Sequence, residues 1–212
     1  MSHPLFEEFT SYRQFVTTTW SKPPAILQRK LTAATEYKEA LNEDSEDWEF
    51  VVQEITELRA CQLSFNLQHV AIGLQGEALE IYLEDDLKEE LGDVLYYLTQ
   101  ASNFLDVTTY DILHVITPGL AVSILQPNDL IKPVLQNIET LCNLLKKVYI
   151  YNQPLDKHIV GIKHHILNTY ALIGCAHPFQ EIMSENRTKL EKRYSSGFTT
   201  QASIERADKC VD

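Results

Sequence analysis

The chain has 212 residues, of which 44% are hydrophobic, so it can bury a sizeable core as one domain or two small ones. Its 30 acidic residues against 18 lysines and arginines give a formal net charge of −12, which disfavours binding to nucleic-acid polymers and anionic membranes. With only 7 glycines and 8 prolines, the composition favours long helices over many short strands.

The chain carries no pattern typical of secretion, membrane insertion or thiolate metal binding. The N-terminal stretch MSHPLFEEFTSYRQF has acids where a signal peptide needs basic residues followed by an apolar run. The four cysteines lie far apart without a CxxC pair, so a zinc site or a redox motif has no support. We therefore expect a cytoplasmic protein that does not contact membranes.

Apolar spacing and helix breakers predict the helices in chain order. The first runs from about Leu5 to Trp20 and ends before Pro23 and Pro24. A second continues to about Leu41, and the proline-free stretch Trp48 to Leu83 fits one long helix or two joined helices. Further helices are predicted over Leu87–Phe104, Thr109–Val115, Leu130–Tyr151, Asp156–Ile173 and Phe179–Tyr194. No strand pattern dominates, so we predict a single all-α domain over residues 1–212.

Two glycines interrupt the long predicted helix. Gly73 and Gly76 each cost about 1 kcal/mol relative to alanine in a helix interior. We expect small residues at these positions to permit close contact with another helix.

Two acidic pairs flank the junction between this helix and the next. Glu77 and Glu80 lie in the sequence EALE, and Glu90 and Asp93 lie in EELGD. Each pair has i,i+3 spacing, which puts both carboxylates on one face of a helix. The residues between Glu80 and Glu90 suffice for a helix end, a tight turn and a helix start. An antiparallel hairpin would therefore bring the two pairs together.

The apolar residues around these acids favour a metal site. The buried face predicted for the second helix consists of Leu87, Leu91, Val94 and Leu98. Glu90 borders that face, and half-buried carboxylates repel one another and raise one another's pKa values. A divalent cation removes this penalty, and an all-oxygen ligand set suits Mg²⁺ or Mn²⁺. The alternative is a solvated acidic face, continuous with Glu84 to Asp86 and Glu89.

The stretch HVAIGLQGEALEIYLEDDLKEELGDVLYYL, from His69 to Leu98, resembles the MazG-like branch of the all-α nucleoside triphosphate pyrophosphatases. Members of that family carry an ExxE pair, a spacer and an ExxD pair, which the four acids match. A second block, NRTKLEKRYSSGF from Asn186 to Phe198, resembles the family's C-terminal element. The resemblance implies a MazG-like helical bundle with catalytic helices at about 63–105 and 179–198.

The chain departs from the family pattern in several places. The spacer between the acidic pairs is short, Ser195 and Ser196 replace the usual proline before Gly-Phe, and helical insertions are predicted at about 23–62 and 120–158. The second insertion fits an eroded repeat in which Ile162 matches Asp93, so that such a copy would not hold metal. Generic helix periodicity is the alternative explanation. The repeat would give the chain an internal pseudo-dimer partner, as in the related dimeric dUTPases; otherwise a homodimer is expected.

The resemblance implies hydrolysis of a nucleoside or deoxynucleoside triphosphate to the monophosphate and pyrophosphate. Glu77, Glu80, Glu90 and Asp93 would hold Mg²⁺ on the phosphate oxygens, and either Glu80 or Glu84 would orient or deprotonate the attacking water. Lys189 and Arg193, one turn apart on one helix, would neutralise charge on the leaving pyrophosphate. Lys192 and Tyr194 complete the candidate phosphate-binding side.

The base-binding side is less defined by the sequence. Gln62, Asn66 and His69 recur at roughly helical spacing upstream of the acids, and their side chains are candidates to read a base edge. They equally fit ordinary polar positions. Tyr97 fits either a base-stacking residue or a core residue.

Two other functions compete with this hypothesis. A phosphoribosyl-ATP pyrophosphatase-like enzyme belongs to the same broad family, but the large insertions argue against it. A catalytically weak helical module that binds nucleotides or proteins is the rival from another class. The presence of all four acids and both basic residues argues against such a module.

Overall fold

The computed structural model of the protein describes residues 4–83, 86–119, 127–194 and 199, and every regular element in these ranges is helical. The elements are α1 (Pro4–Thr19), α2 (Ala25–Ala40), α3 (Trp48–Leu83), α4 (Leu87–Phe104), α5 (Thr109–Gly119), α6 (Pro127–Tyr149), a 3₁₀ turn (Leu155–Lys157), α7 (Ile159–Ala176) and α8 (Phe179–Arg193). The predicted all-α class is confirmed. Glu84, Ser195 and Ser196, the end of the C-terminal block and the start of the second predicted insertion lie outside the described residues.

The helix boundaries follow the sequence predictions closely, except in α5, α6 and α7. Helix α6 spans Pro127–Tyr149 instead of the predicted Leu130–Tyr151, and α7 ends at Ala176, three residues beyond its predicted end. The stretch Trp48–Leu83 is one continuous helix, and Leu87–Phe104 has the predicted bounds. However, α5 continues through Pro118 to Gly119, beyond its predicted end at Val115. The helix predicted from Asp156 is also wrong at its start. Lys157 and His158 donate to carbonyls three residues back, which makes a 3₁₀ turn, and α7 begins only at Ile159.

One main hydrophobic core joins seven of the described helices, from α1 and α3 through α8. A second, smaller cluster lies between α2 and the first half of α3. Its buried members are Ala34, Val51 and Ile55, with Leu31, Leu41 and Leu58 packed against them. This outlying cluster coincides with the segment that the sequence predicts as the first insertion.

Two helical hairpins form the centre of the main core. Helices α3 and α4 pack along each other, as do α6 and α7, and the second hairpin packs against the first through α3·α6 and α4·α7 contacts. The close contact predicted for the α3 glycines occurs at Gly73, where an added Cβ would overlap the ring of Tyr97 on α4. Gly76 faces open space and makes no such contact.

The remaining helices place the C-terminal block beside the first hairpin. Helix α8 packs against both α4 and α1, and α1 packs against α4. The side chains of Lys189 and Asn186 therefore approach α4 from α8. Within the described ranges, no helix combines the length and apolarity that a membrane span requires.

Candidate functional site

The start of α4 is fixed by a capping residue, which sets the position of the second acidic pair. Asp86 lies immediately before α4, and its carboxylate accepts a hydrogen bond of 3.1 Å from the backbone N–H of Glu89. An acidic N-cap satisfies one of the unpaired N–H groups of the first turn and favours the helix dipole. The next residue, Glu90, thereby lies in the first turn of α4 and faces α3.

Three of the four predicted metal ligands converge between α3 and α4. Glu77, Glu80 and Glu90 each offer one carboxylate oxygen, and these oxygens lie within 4.8 Å of one another. Glu77 and Glu80 are half-buried, whereas Glu90 is only 1% exposed. The hairpin thus brings the two acidic pairs together as its spacing predicts. A fully solvated acidic face does not describe Glu90 or Asp93, because both are buried.

The environment of Glu77 disfavours its charged form. Burial, followed by the like charges of Asp93, Glu80 and Glu90, raises the pKa of Glu77 to about 8, and Lys189 only partly opposes this. Oε2 of Glu77 is buried and has no hydrogen-bond partner in the described part of the chain. A divalent cation would satisfy this oxygen and offset the repulsion, and the ligands available are all oxygens, as Mg²⁺ requires. The residues present therefore fit a Mg²⁺ site.

Asp93, the fourth predicted ligand, lies outside that three-oxygen group and is held by α8. Its Oδ2 accepts from Lys189 Nζ at 2.6 Å, and its Oδ1 accepts from Asn186 Nδ2 at 2.8 Å. Lys189 also donates to Glu89 Oε1 at 3.3 Å. Burial alone would lower the pKa of Lys189, but Asp93 and Glu89 outweigh it, so the pKa is raised and the side chain stays charged.

The other residues of the C-terminal block differ in burial. Arg193 is half-buried, and its guanidinium lies 5.8 Å from the centre of the Tyr194 ring. Its positive charge slightly opposes the rise in pKa that burial causes at the hydroxyls of Tyr96 and Tyr97. Tyr194 packs against the main core. Lys192 is exposed. Lys189 therefore lies beside the acids of α4, whereas Arg193 lies beside Tyr96 and Tyr97, about one turn further along α4.

The three candidates for base recognition occupy different environments on α3. Gln62 is half-buried, while Asn66 is buried and its Oδ1 has no hydrogen-bond partner among the described residues. His69 Nδ1 lies 2.8 Å from Ser21 Oγ, and burial lowers the pKa of His69, which favours the neutral ring. Asn66 is thus the one of these three with an unused buried acceptor.

Trp20, His69 and Tyr97 form an aromatic group that extends from His69 to the carboxylates. The rings of Trp20 and His69 have centroids 4.3 Å apart, and Tyr97 packs edge-on against both. Tyr96 is a core residue whose hydroxyl donates to the Thr19 carbonyl at 3.1 Å. Tyr97 is half-buried, and the charge of Glu77 raises the pKa of its hydroxyl in addition to the larger effect of burial. Tyr97 therefore borders the carboxylate group.

Four residues of this region have no assigned role in the sequence hypothesis: Tyr12, Trp20, Glu89 and Asn186. Asn186 has a detectable signal, because it lies one turn before Lys189 and so shares its helix face. Tyr12 and Trp20 recur with the apolar residues of the first helix, and periodicity identifies them only as core positions.

Comparison of the chain with protein-family models, with curated protein sequences and with solved structures gives no match. The case for a function therefore rests on the sequence motifs and on the geometry of this site.

Proposed function

We propose that the protein is a Mg²⁺-dependent pyrophosphohydrolase that cleaves a nucleoside or deoxynucleoside triphosphate to the monophosphate and pyrophosphate. The observation that carries the proposal is the convergence of Glu77, Glu80 and Glu90 at one place, with the ammonium of Lys189 held beside them by Asp93. The MazG-like motifs support the same reaction. Mn²⁺ is expected to replace Mg²⁺, because it takes the same oxygen ligands.

The carboxylates would have two roles: they would bind the metal ion, and one of them would also activate the attacking water. Bound Mg²⁺ would supply charge neutralisation at the phosphate oxygens and a lowered pKa of a bound water. Glu77, Glu80, Glu90 and Asp93 would hold the ion. Glu80 is the half-buried member nearest the end of α3, and it would also orient the attacking water or accept its proton. The reaction breaks the anhydride between the α- and β-phosphates, and the water supplies the new P–O bond.

The positive side chains of α8 would bind the triphosphate. Lys189 keeps its proton because Asp93 and Glu89 face it, so a full charge is available at the edge of the carboxylate group. Arg193 lies one turn further along, and the two would neutralise charge that builds on the leaving pyrophosphate. Lys192 and Tyr194 would contact the outer phosphates.

The base would lie on the side of Asn66 and His69, with Gln62 one turn further away. The unused Oδ1 of Asn66 would accept a hydrogen bond from the ligand, and the neutral His69 ring extends an aromatic surface that includes Trp20. Base stacking on aromatic side chains contributes about 1–3 kcal/mol per base in nucleotide-binding proteins.

The second hairpin, α6–α7, would act as an internal partner for the catalytic hairpin. It packs against α3 and α4, and Ile162, which the repeat alignment matches with Asp93, is fully buried. An apolar residue at that position would leave the second hairpin without a metal site. A homodimer remains the other assembly that the motifs allow.

The proposal is tested by pyrophosphate release from a panel of NTPs and dNTPs, with and without Mg²⁺. Glu80→Gln and Asp93→Asn should each lower kcat/KM by at least about 100-fold, since each removes a charge that faces the cation. Glu191→Gln is the matched control, because Glu191 is an exposed glutamate on α8 whose ion-pair partner among the described residues is Arg187. Its activity should equal that of the wild type.

The other outcomes separate the competing functions. Undiminished activity of both site variants would contradict the metal-site assignment. Turnover of phosphoribosyl-ATP alone would favour the phosphoribosyl-ATP pyrophosphatase-like enzyme. Absence of Mg²⁺-dependent turnover on every nucleotide would favour the binding module.

A further inference from the structure

A buried chain of hydrogen bonds runs from α1 through α8 to the carboxylate of Asp93 on α4. The hydroxyl of Tyr12 donates to Asn186 Oδ1 at 2.7 Å, and Asn186 Nδ2 donates to Asp93 Oδ1 at 2.8 Å. Tyr12 is 2% and Asn186 3% exposed, so water does not compete for these bonds. Buried hydrogen-bond chains of this kind fix side-chain orientation, because each member loses its partner if it rotates.

The direction of the chain is set by Asp93, whose carboxylate can only accept hydrogen bonds. The NH₂ group of Asn186 therefore faces Asp93, and its Oδ1 is left to accept from the Tyr12 hydroxyl, which holds the amide in this orientation. Burial, the largest effect, and the negative charge of Asp93 raise the pKa of Tyr12 well above its usual value, so the hydroxyl keeps its proton.

The backbone of α4 also limits the position of Asn186. Gly92 lies against it, and a Cβ added at Gly92 would be 3.1 Å from the Cβ of Asn186. The amide therefore has little room to move along α4. Lys189 occupies the other oxygen of Asp93 at 2.6 Å, so both oxygens are held from α8.

We propose that Tyr12 and Asn186 are positioning residues, which hold the carboxylate of Asp93 in the orientation that a divalent cation at the Glu77–Glu80–Glu90 group requires. This inference rests on the proposed function, since it assigns the chain a role toward the same cation. Both residues act through Asp93, at which the chain of hydrogen bonds ends. Outer residues that orient metal ligands typically contribute 10–100-fold to metal affinity.

The test compares Tyr12→Phe with Tyr170→Phe. Tyr170 is a matched control because it is also a fully buried tyrosine of the main core, and its hydroxyl bonds to Thr99 and Ser102 instead of Asn186. Both variants lose one buried hydroxyl and should lose similar thermal stability. The first measurement is Mn²⁺ affinity, from the electron paramagnetic resonance signal of free Mn²⁺. The second is hydrogen exchange of the Asn186 side-chain amide in metal-free protein, by NMR.

We expect Tyr12→Phe to weaken Mn²⁺ binding by about 10-fold or more and to speed exchange of the Asn186 amide, and Tyr170→Phe to do neither. The inference is overturned if Tyr12→Phe binds Mn²⁺ like the wild type, whatever the amide does. It is also overturned if both variants weaken binding equally, because general loosening would then be the cause. Failure of the wild type to bind Mn²⁺ at all would overturn the proposed function itself, which is a separate observation from any difference between the variants.

Discussion

At the scale of single residues, the environment of Glu77 disfavours its charged form. Its carboxylate is largely removed from water, faces three other acids and leaves Oε2 without a hydrogen bond among the described residues. Groups held in an unfavourable charge state at a cleft are frequent at functional sites, because the ligand supplies the missing interaction. Asp93 differs, since Lys189 and Asn186 already stabilise its charge.

The raised pKa of Glu77 predicts how the metal-free protein responds to pH. Its ordinary pKa is 4.5, and in the folded protein it is about 8. Between these values the folded state binds one more proton than the unfolded state, so stability is highest below the lower pKa and falls as pH rises toward the higher one. Thermal unfolding in EDTA from pH 5 to 8.5 should show this decline in the wild type, and Glu77→Gln should flatten it. Equal slopes in both proteins would contradict the assignment of the decline to Glu77.

A second prediction at this scale concerns the two lysines of α8. Lys189→Met should lower kcat/KM by about 100-fold or more, because it removes the charge nearest the carboxylates and leaves Asp93 with one partner fewer. Lys192→Met should cost less than about 10-fold, since the Lys192 side chain is exposed and its interactions are screened by solvent. Steady-state kinetics on the best nucleotide of the panel measures both. Equal losses of kcat/KM in the two variants would contradict the assignment of Lys189 as the charge nearer the reacting phosphates.

At the scale of helices, the sequence predicts the fold well because the signals are local. Proline pairs, polar turns and apolar periodicity locate the ends of α1, α3 and α4, and the spacer between Glu80 and Glu90 is long enough for a hairpin. The convergence of the acids follows from that hairpin. The start of α7 differs from the prediction because a 3₁₀ turn and an α-helix have similar apolar spacing over a few residues.

The contacts of α8 and α1 with the site cannot be predicted from local sequence patterns. Tyr12 and Asn186 are 174 positions apart in the chain, so no spacing rule connects them. Periodicity marks Tyr12 as buried but does not give its partner, and the role of an asparagine depends on which groups face its two ends. The same limit applies to Trp20, which follows α1 and contacts His69 on α3 and Tyr97 on α4.

The two glycines of α3 give a matched prediction at this scale. Gly73→Ala should lower the free energy of unfolding by about 1–3 kcal/mol, because the added methyl group overlaps the Tyr97 ring and forces the helices apart. Gly76→Ala should raise it by about 0.5–1 kcal/mol, since that position is open and alanine is the better helix former. Urea denaturation of both variants measures the two changes in the free energy of unfolding. The same sign for the two changes would contradict the α3–α4 packing described above.

At the scale of the whole molecule, the two hairpins predict the oligomeric state. Helices α6 and α7 pack against α3 and α4 within the same chain. If they act as an internal partner, light scattering should give the mass of one chain at micromolar concentration. The strong net negative charge also opposes self-association. A mass of two chains would favour the homodimer and would leave α6–α7 as an insertion of another kind.

The proposed function requires that the carboxylates of α3 and α4 hold a cation for cleavage between the α- and β-phosphates. The most direct measurement is ³¹P NMR of a complete reaction, with the nucleotide that the panel identifies and with Mg²⁺ present. We expect nucleoside monophosphate and pyrophosphate in equal amounts, no reaction in EDTA, and loss of both products in Glu80→Gln. Formation of nucleoside diphosphate and inorganic phosphate, or unchanged products in Glu80→Gln, would contradict the proposed function.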